Sequence, residues 1–391
     1  MTSTRTHQRF IPLASANFFL SLNLGLIAYI GSSFIAQVLG VSYVGLVYAC
    51  AAAFTLSAVF LLPRAIRRYG IHLTTGIISL SLFFTLAGIA QVTQHLAILL
   101  LFIASYVLSV ILKLLLDLYV EHISEDSHTG RIRGLYLTTG NSAWIMAPFI
   151  AGVLVERSFA QVYAIAAVVL IPTVFIILYR LPRFQEFTIH HSYLGDTVSK
   201  LWHARRGRQV NIARALMLDF FLNLFYAVMV IYLPLLLHDD IGLSWSSIGL
   251  LFTIMLMPFV IVQYPLGRLA DTRLGEKEIM IGALIIMSAA CFAISFARTA
   301  PLLLWALILF MSRVGAASLE VMKESYLFKH IDEHDALIVS ISRNAMPFSY
   351  LIAPIVATIV LAFSSLFTLF AVMGIVLLIA LVPATRLRDT R

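Results

Sequence analysis

The sequence places charge where charge is expensive. An ionisable side chain at the centre of a hydrocarbon layer costs about 2.5–3.5 kcal/mol on insertion scales. Yet Lys113, Asp117, Asp219, Arg313, Glu320, Glu324 and Arg343 all fall within or at the edges of long apolar stretches. Asp219 shares a helical face with Asn223 and Tyr226, and a carboxylate so placed can exchange a proton for contact with a ligand. Its plainer role is a structural group held by backbone amides. Arg313, Glu320 and Glu324 stand seven and four residues apart, one stripe of a helix with Ala316 and Ala317 between them. Arg313 lies near the middle of its stretch, where a guanidinium either recognises an anionic group or pairs with a carboxylate such as Asp219 or Glu320. Lys113 and Asp117, four apart, form an intrahelical pair in the simplest reading.

These side chains must be positioned by helices that cross a bilayer. The 391 residues are 61% hydrophobic and 12% charged, about half the charged fraction of a globular chain. The apolar residues come in blocks of about 20, the length a helix needs to cross about 30 Å of hydrocarbon. Lipid also demands that each backbone amide be satisfied within its own segment. Strands of a membrane barrel would alternate apolar and polar residues over about ten positions, and no such alternation occurs.

Twelve spans are predicted, over 10–37, 41–62, 72–92, 95–118, 134–155, 160–180, 212–237, 245–266, 278–297, 301–322, 335–362 and 364–384. Of the 27 Lys and Arg, Lys113, Arg313 and Arg343 fall inside spans, and Arg157 and Arg298 alone occupy loops on the side opposite the N-terminus. The positive-inside rule then puts both termini in the cytoplasm. The net charge of +8 is thereby a topological signal rather than a nucleic-acid footprint. The first span is too long for a signal-peptide core and is read as retained. Cys50 and Cys291 sit in separate apolar blocks and imply no disulfide framework. His122 and the pair His190 and His191 lack acidic partners at metal-ligand spacing, and no Gly-rich loop ends in Lys-Ser/Thr. No metal, cofactor or catalytic residue is expected.

The basic segment 181–211 divides the chain into two six-span halves, 1–180 and 212–391. Within it Leu194, Val198, Leu201 and Trp202 recur at helical spacing beside Lys200, Arg205 and Arg206, which predicts a short interfacial helix or, alternatively, a solvated linker. The halves repeat each other. Asn17-Phe-Phe-Leu-Ser-Leu matches Asp219-Phe-Phe-Leu-Asn-Leu, and Leu39-Gly-Val-Ser matches Ile241-Gly-Leu-Ser at the same offset. His122-Ile-Ser-Glu matches His330-Ile-Asp-Glu, and Met146-Ala-Pro-Phe-Ile-Ala matches Ile352-Ala-Pro-Ile-Val-Ala. Parallel repeats of this kind, related by an axis along the membrane normal, build one large class of membrane folds.

With the repeat in hand, the chain resembles the major facilitator superfamily over nearly its whole length. The loop Gly267-Arg-Leu-Ala-Asp271-Thr-Arg273-Leu-Gly275-Glu-Lys277 is similar to the family's Gly-x-x-x-Asp-Arg-x-Gly loop, with one extra residue before the second glycine. The first-half counterpart, Pro63-Arg-Ala-Ile-Arg67-Arg68-Tyr-Gly70, lacks the Asp. Gly134, Ala143, Ala147, Pro148, Ala151 and Gly152 resemble the helix-5 motif of the family's proton antiporters, with alanines at three glycine positions.

The resemblance implies an all-α membrane protein, with twelve transmembrane helices in two pseudo-twofold-related six-helix bundles. It implies a central cavity lined by helices 1, 4, 7 and 10, and hence by Asn17, Asn23, Lys113, Asp219, Asn223, Tyr226, Arg313 and Glu320. It also implies a cytoplasmic gate from Gly267, Arg268, Asp271, Arg273 and Glu324, with an ion pair between Asp117 and Arg343. The implied activity is secondary transport of a small molecule by alternating access, driven by a proton gradient and needing no cofactor. Antiport with efflux is placed ahead of symport or uniport of a small polar or anionic solute, and a non-transporting receptor or lipid-handling protein is the alternative from another class. The expected setting is the cytoplasmic membrane, as a monomer among lipids with no nucleic-acid partner.

Overall fold

The computed structural model describes residues 2–123, 129–182, 208–270, 274–330 and 336–388, with side chains described outside 2–9, 121–123, 129–135, 264 and 336–344. The described chain is helical throughout. The helices are α1 Thr2–Ala28, α2 Gly31–Leu39, α3 Val41–Tyr69, α4 Ile71–Ile89, α5 His95–Ile123, α6 Thr129–Val155 and α7 Phe159–Tyr179. They continue as α8 Arg208–Leu235, α9 Trp245–Leu256, α10 Pro258–Ile261, α11 Gln263–Leu269, α12 Glu276–Phe296, α13 Leu302–His330, α14 Ala336–Phe363, α15 Leu366–Ile379 and α16 Leu381–Thr385. Among the described residues, twelve helical stretches are long and apolar enough to cross a membrane. Large apolar side chains stay exposed along them, Phe363 at 90% and Phe296 at 85%. In water such surfaces would drive aggregation, whereas in a bilayer they meet their solvent.

Element boundaries depart from the sequence expectation where polar residues continue a helix past the apolar block. The span expected over 41–62 runs on to Tyr69 and carries Arg64, Arg67 and Arg68 on its last turns. The span expected to stop at 322 continues to His330, which brings Lys323 into the helix. The first span is two helices, broken at Tyr29 and Ile30. Pro258, which cannot donate to the preceding turn, interrupts the eighth. Beyond α8, whose last turn contains Pro234, the chain widens into a π-turn over Leu236–Asp240.

The repeat is written into the backbone. Gly40 and Gly242, at matching places in the two halves, have φ of 94° and 79°. A side chain at that conformation is strained, so the glycine is what lets one helix end and the next begin, across a single residue at Gly40 and across 241–244 at Gly242.

The described structure forms two compact units. The first comprises Met1–Ile189 with Leu243–Thr253, and the second His190–Gly242 with Ile254–Arg391. In the first, α1 runs through the middle against α5, α6 and α7, while α4 packs on α5 and α7. In the second, α8 takes the same part against α13, α14 and α15, and α12 packs on α13 and α15.

Candidate functional site

In the second unit, Asp219 sits two to three turns into α8, only 1% exposed. Its Oδ1 accepts from Lys323 Nζ on α13 and from the Asn223 amide one turn along its own helix, at 2.9 Å. Lys323 is itself 7% exposed. Desolvating two such ions costs several kcal/mol each, and attraction offsets this only when the hydrogen-bond geometry is good. The pair is therefore a committed polar centre of this unit. Lys323 was not foreseen, because Lys-Glu-Ser-Tyr at 323–326 looks like the start of a loop.

One to two turns away on the same two helices lies a second cluster. Tyr226 donates its hydroxyl to Glu320 Oε2 at 2.6 Å. The Arg313 guanidinium lies 5.2 Å from the centroid of the Tyr226 ring and 5.3 Å from that of Phe225. At 1% exposed, Arg313 is among the largest fully buried side chains. Cation–π contacts with desolvated aromatic faces are worth about 2 kcal/mol or more. Of the two carboxylates that the sequence offered to Arg313 as an alternative to an anionic ligand, Asp219 is bonded to Lys323, and Glu320 accepts from the Tyr226 hydroxyl. Two residues on from Arg313, Gly315 lets α13 pack closely on α12, as a Cβ there would meet the Ala283 carbonyl at 2.7 Å.

The first unit carries a related network. Lys113 Nζ donates to Asn17 Oδ1 at 2.8 Å and lies 3.3 Å from Asp117 Oδ1. It also sits 4.7 Å from the centroid of the Tyr136 ring. Tyr136 donates to Asp117 at 2.9 Å, and the Asn17 amide donates to the Tyr136 carbonyl at 2.8 Å. Asn17 is fully buried, whereas the Lys113 and Asp117 side chains are 32% and 37% exposed. Asn17 and Ser21 repeat Asp219 and Asn223 one for one, each pair bonded across a single turn. The cation does not repeat: Lys113 aligns with Glu320, and Lys323 aligns with Leu116, one turn along. Each unit therefore serves the same first-helix position with a lysine, but from a different turn.

The profile of the Major Facilitator Superfamily matches residues 13–319 and 215–391. The chain belongs to the major facilitator superfamily. No curated protein sequence matches it. Among solved structures it is similar to the nucleoside transporter NupG, solved as a point mutant, with TM-score 0.76, 15% identity, and coverage of 97% of this chain and 100% of that one. It is also similar to the human organic anion transporter MFSD10 (TETRAN), at 0.67, 13%, 97% and 99%, and to a bacterial metal transporter at 0.68, 15%, 97% and 98%. At such identities the likeness is one of fold. This member of the superfamily is a secondary transporter of a small molecule and not an enzyme. Three cargo classes on one fold leave the cargo to be argued from side chains.

Other residues expected to serve this facilitator fold take different places. Asn23 is fully buried and donates to the Ala166 carbonyl at 2.7 Å, so its amide ties α1 to α7 and lies apart from the Asn17 network. Gly267 and Arg268 close α11, with Arg268 exposed, while Asp271 and Arg273 lie outside the described residues. The Arg343 side chain and the predicted interfacial helix also lie outside them. Asp117 is engaged by Lys113 and Tyr136, and Glu324 is exposed on α13.

In α6, the Gly134 side of the motif is not described, but its later residues make close backbone packing. A Cβ on Gly25 would fall 2.6 Å from that of Ala147. A Cβ on Gly152 would fall 2.5 Å from the Trp245 carbonyl, and one on Gly249 would fall 2.5 Å from the Pro148 carbonyl. Beside this contact, Glu156 accepts from the Ser246 backbone amide at 3.0 Å, at the N-terminus of α9.

Proposed function

We propose that this chain moves a small solute bearing a negatively charged group across the cytoplasmic membrane by alternating access, coupled to protons. The observation that carries the reading is the cluster of buried Arg313 with half-buried Tyr226 and Glu320, on the same two helices as the Asp219–Lys323 pair. Arg313 supplies recognition of an anionic group through a fork of donors that a lysine lacks. Glu320 is the first candidate to carry the proton, because the hydroxyl of Tyr226 is what it holds, whereas Asp219 already holds an ammonium group. Asp219 and Asn223 complete the polar lining within this unit. A proton taken up with an anion offsets its charge, which favours symport. Both termini lie in the cytoplasm in this reading, on the strength of the Lys and Arg distribution.

Proton antiport with efflux is the second reading. The small-residue pattern from Gly134 through Ala147 and Pro148 to Gly152 supports it, as do the aromatics Phe220, Phe221 and Phe225 on α8, which suit amphipathic cargo. Accumulation of a panel of organic anions and cations by reconstituted vesicles, with and without an imposed pH gradient, tests both. Symport expects anions to concentrate on the alkaline side, and antiport expects cargo to concentrate on the acidic side. Fluxes indifferent to the gradient would refute proton coupling.

A further inference from the structure

Tyr226 joins two groups that stand two helical turns apart. Arg313 and Glu320 are separated by seven residues on α13, roughly 10 Å along the helix axis. The tyrosine of α8 bridges that gap, its ring beside the guanidinium and its hydroxyl on the carboxylate. Tyr226 and Glu320 are half-buried while Arg313 is buried, and the Tyr226 ring lies against the guanidinium, so the ring covers part of the cation. Phe225 gives Arg313 a second aromatic face, and Phe259 flanks the Tyr226 ring at 6.3 Å.

We propose that Tyr226 is a positioning residue, a proton-sensitive latch that keeps Arg313 covered until Glu320 is protonated. This rests on the proton-coupled reading and adds the device that links proton to anion. A hydroxyl donating to a carboxylate makes a charge-assisted bond, roughly twice as strong as one between neutral partners. Protonating Glu320 turns the bond into the weaker kind and frees the ring to leave the guanidinium. Arg313 can then receive an anionic group. Linkage makes the effect reciprocal, so an anion held at Arg313 raises the affinity of Glu320 for its proton. Among the described residues, the other ionisable groups that act on Glu320 are Lys323 and Glu324 on its own helix and Asp219 on α8. Lys323 is bonded to Asp219, and Glu276 of α12 is bonded to Lys329 and Ser325 further along α13. Tyr226, bonded to Glu320 and lying against Arg313, is the group placed to hand the state of one on to the other.

The test needs no knowledge of the cargo. The full chain in lipid nanodiscs is treated with phenylglyoxal, which modifies arginine, across a range of pH. Modification of Arg313 is read by mass spectrometry relative to the exposed Arg157, which cancels the reagent's own pH dependence. The wild-type ratio is expected to rise about five- to tenfold as pH falls, from the difference between charged and neutral hydrogen bonds. Tyr226→Phe keeps the ring but loses the hydroxyl, and is expected to show a high ratio that no longer depends on pH. Glu320→Gln should do the same, and it decides the matter if thermal unfolding shows Tyr226→Phe to be misfolded. A wild-type ratio flat in pH, or a Tyr226→Phe profile that follows wild type, would overturn the latch. Vesicle flux insensitive to a pH gradient alongside a responsive labelling ratio would refute proton coupling and leave the latch standing.

Discussion

Two lysines inside the membrane make the residue-scale contrast. Lys323 and Asp219 are both buried, so removing one partner strands a charge away from water. Asp219→Asn is expected to cost about 3–5 kcal/mol of stability, visible as a lowered midpoint of thermal unfolding in detergent. The double variant Asp219→Asn with Lys323→Met should recover most of it, since a buried ion pair and an apolar replacement are often close in energy. If the double variant is no more stable than the single one, the pair is not what holds this site. Lys113 and Asp117 are about a third exposed, so neither is fully desolvated and removing one strands less of a charge. Lys113→Met should therefore cost about 1 kcal/mol or less by the same measurement. Asp219, Arg313 and Glu320 were legible in sequence because charge in an apolar block has few innocent explanations. Lys323 and Tyr136 were not, because a lysine at the end of a span and a tyrosine near the start of one are ordinary until a distant residue bonds to them.

At the scale of the element, small residues decide how closely helices pass. The α6–α9 contact leaves no room for a side chain at Gly152 or Gly249, where an added Cβ would lie 2.5 Å from a backbone carbonyl. Gly249→Val must push the two helices apart, an overpacking cost of about 1–3 kcal/mol. Its expected mark is faster proteolysis or alkylation at cysteines introduced near Ser246. Unchanged accessibility and stability would show that the backbone yields there without strain. The helix-5 pattern was visible through its resemblance to the family's motif, but its partners were not. The sequence carries no sign that Gly25 meets Ala147 while Gly152 meets Gly249. Helix lengths were read less well than helix number. Apolar content reports where hydrocarbon ends, whereas α3 and α13 run on through polar turns for as long as their hydrogen bonds continue.

For the whole molecule, the twelve spans and the duplicated half were legible because lipid permits few alternatives to an apolar helix of fixed length. The family profile and the similar solved folds agree with that reading. The proposed orientation rests on where the basic residues lie, and it expects reporter tags at the two ends both to be found in the cytoplasm. Tags on opposite sides would remove a span from the count. The most direct measurement of the account is the pH inside dye-loaded vesicles when a transported anion is added outside. Wild-type protein is expected to acidify the lumen as the anion enters. Glu320→Gln should abolish that acidification while the protein remains folded. Anion entry with no proton movement in wild type, or full acidification by Glu320→Gln, would contradict it.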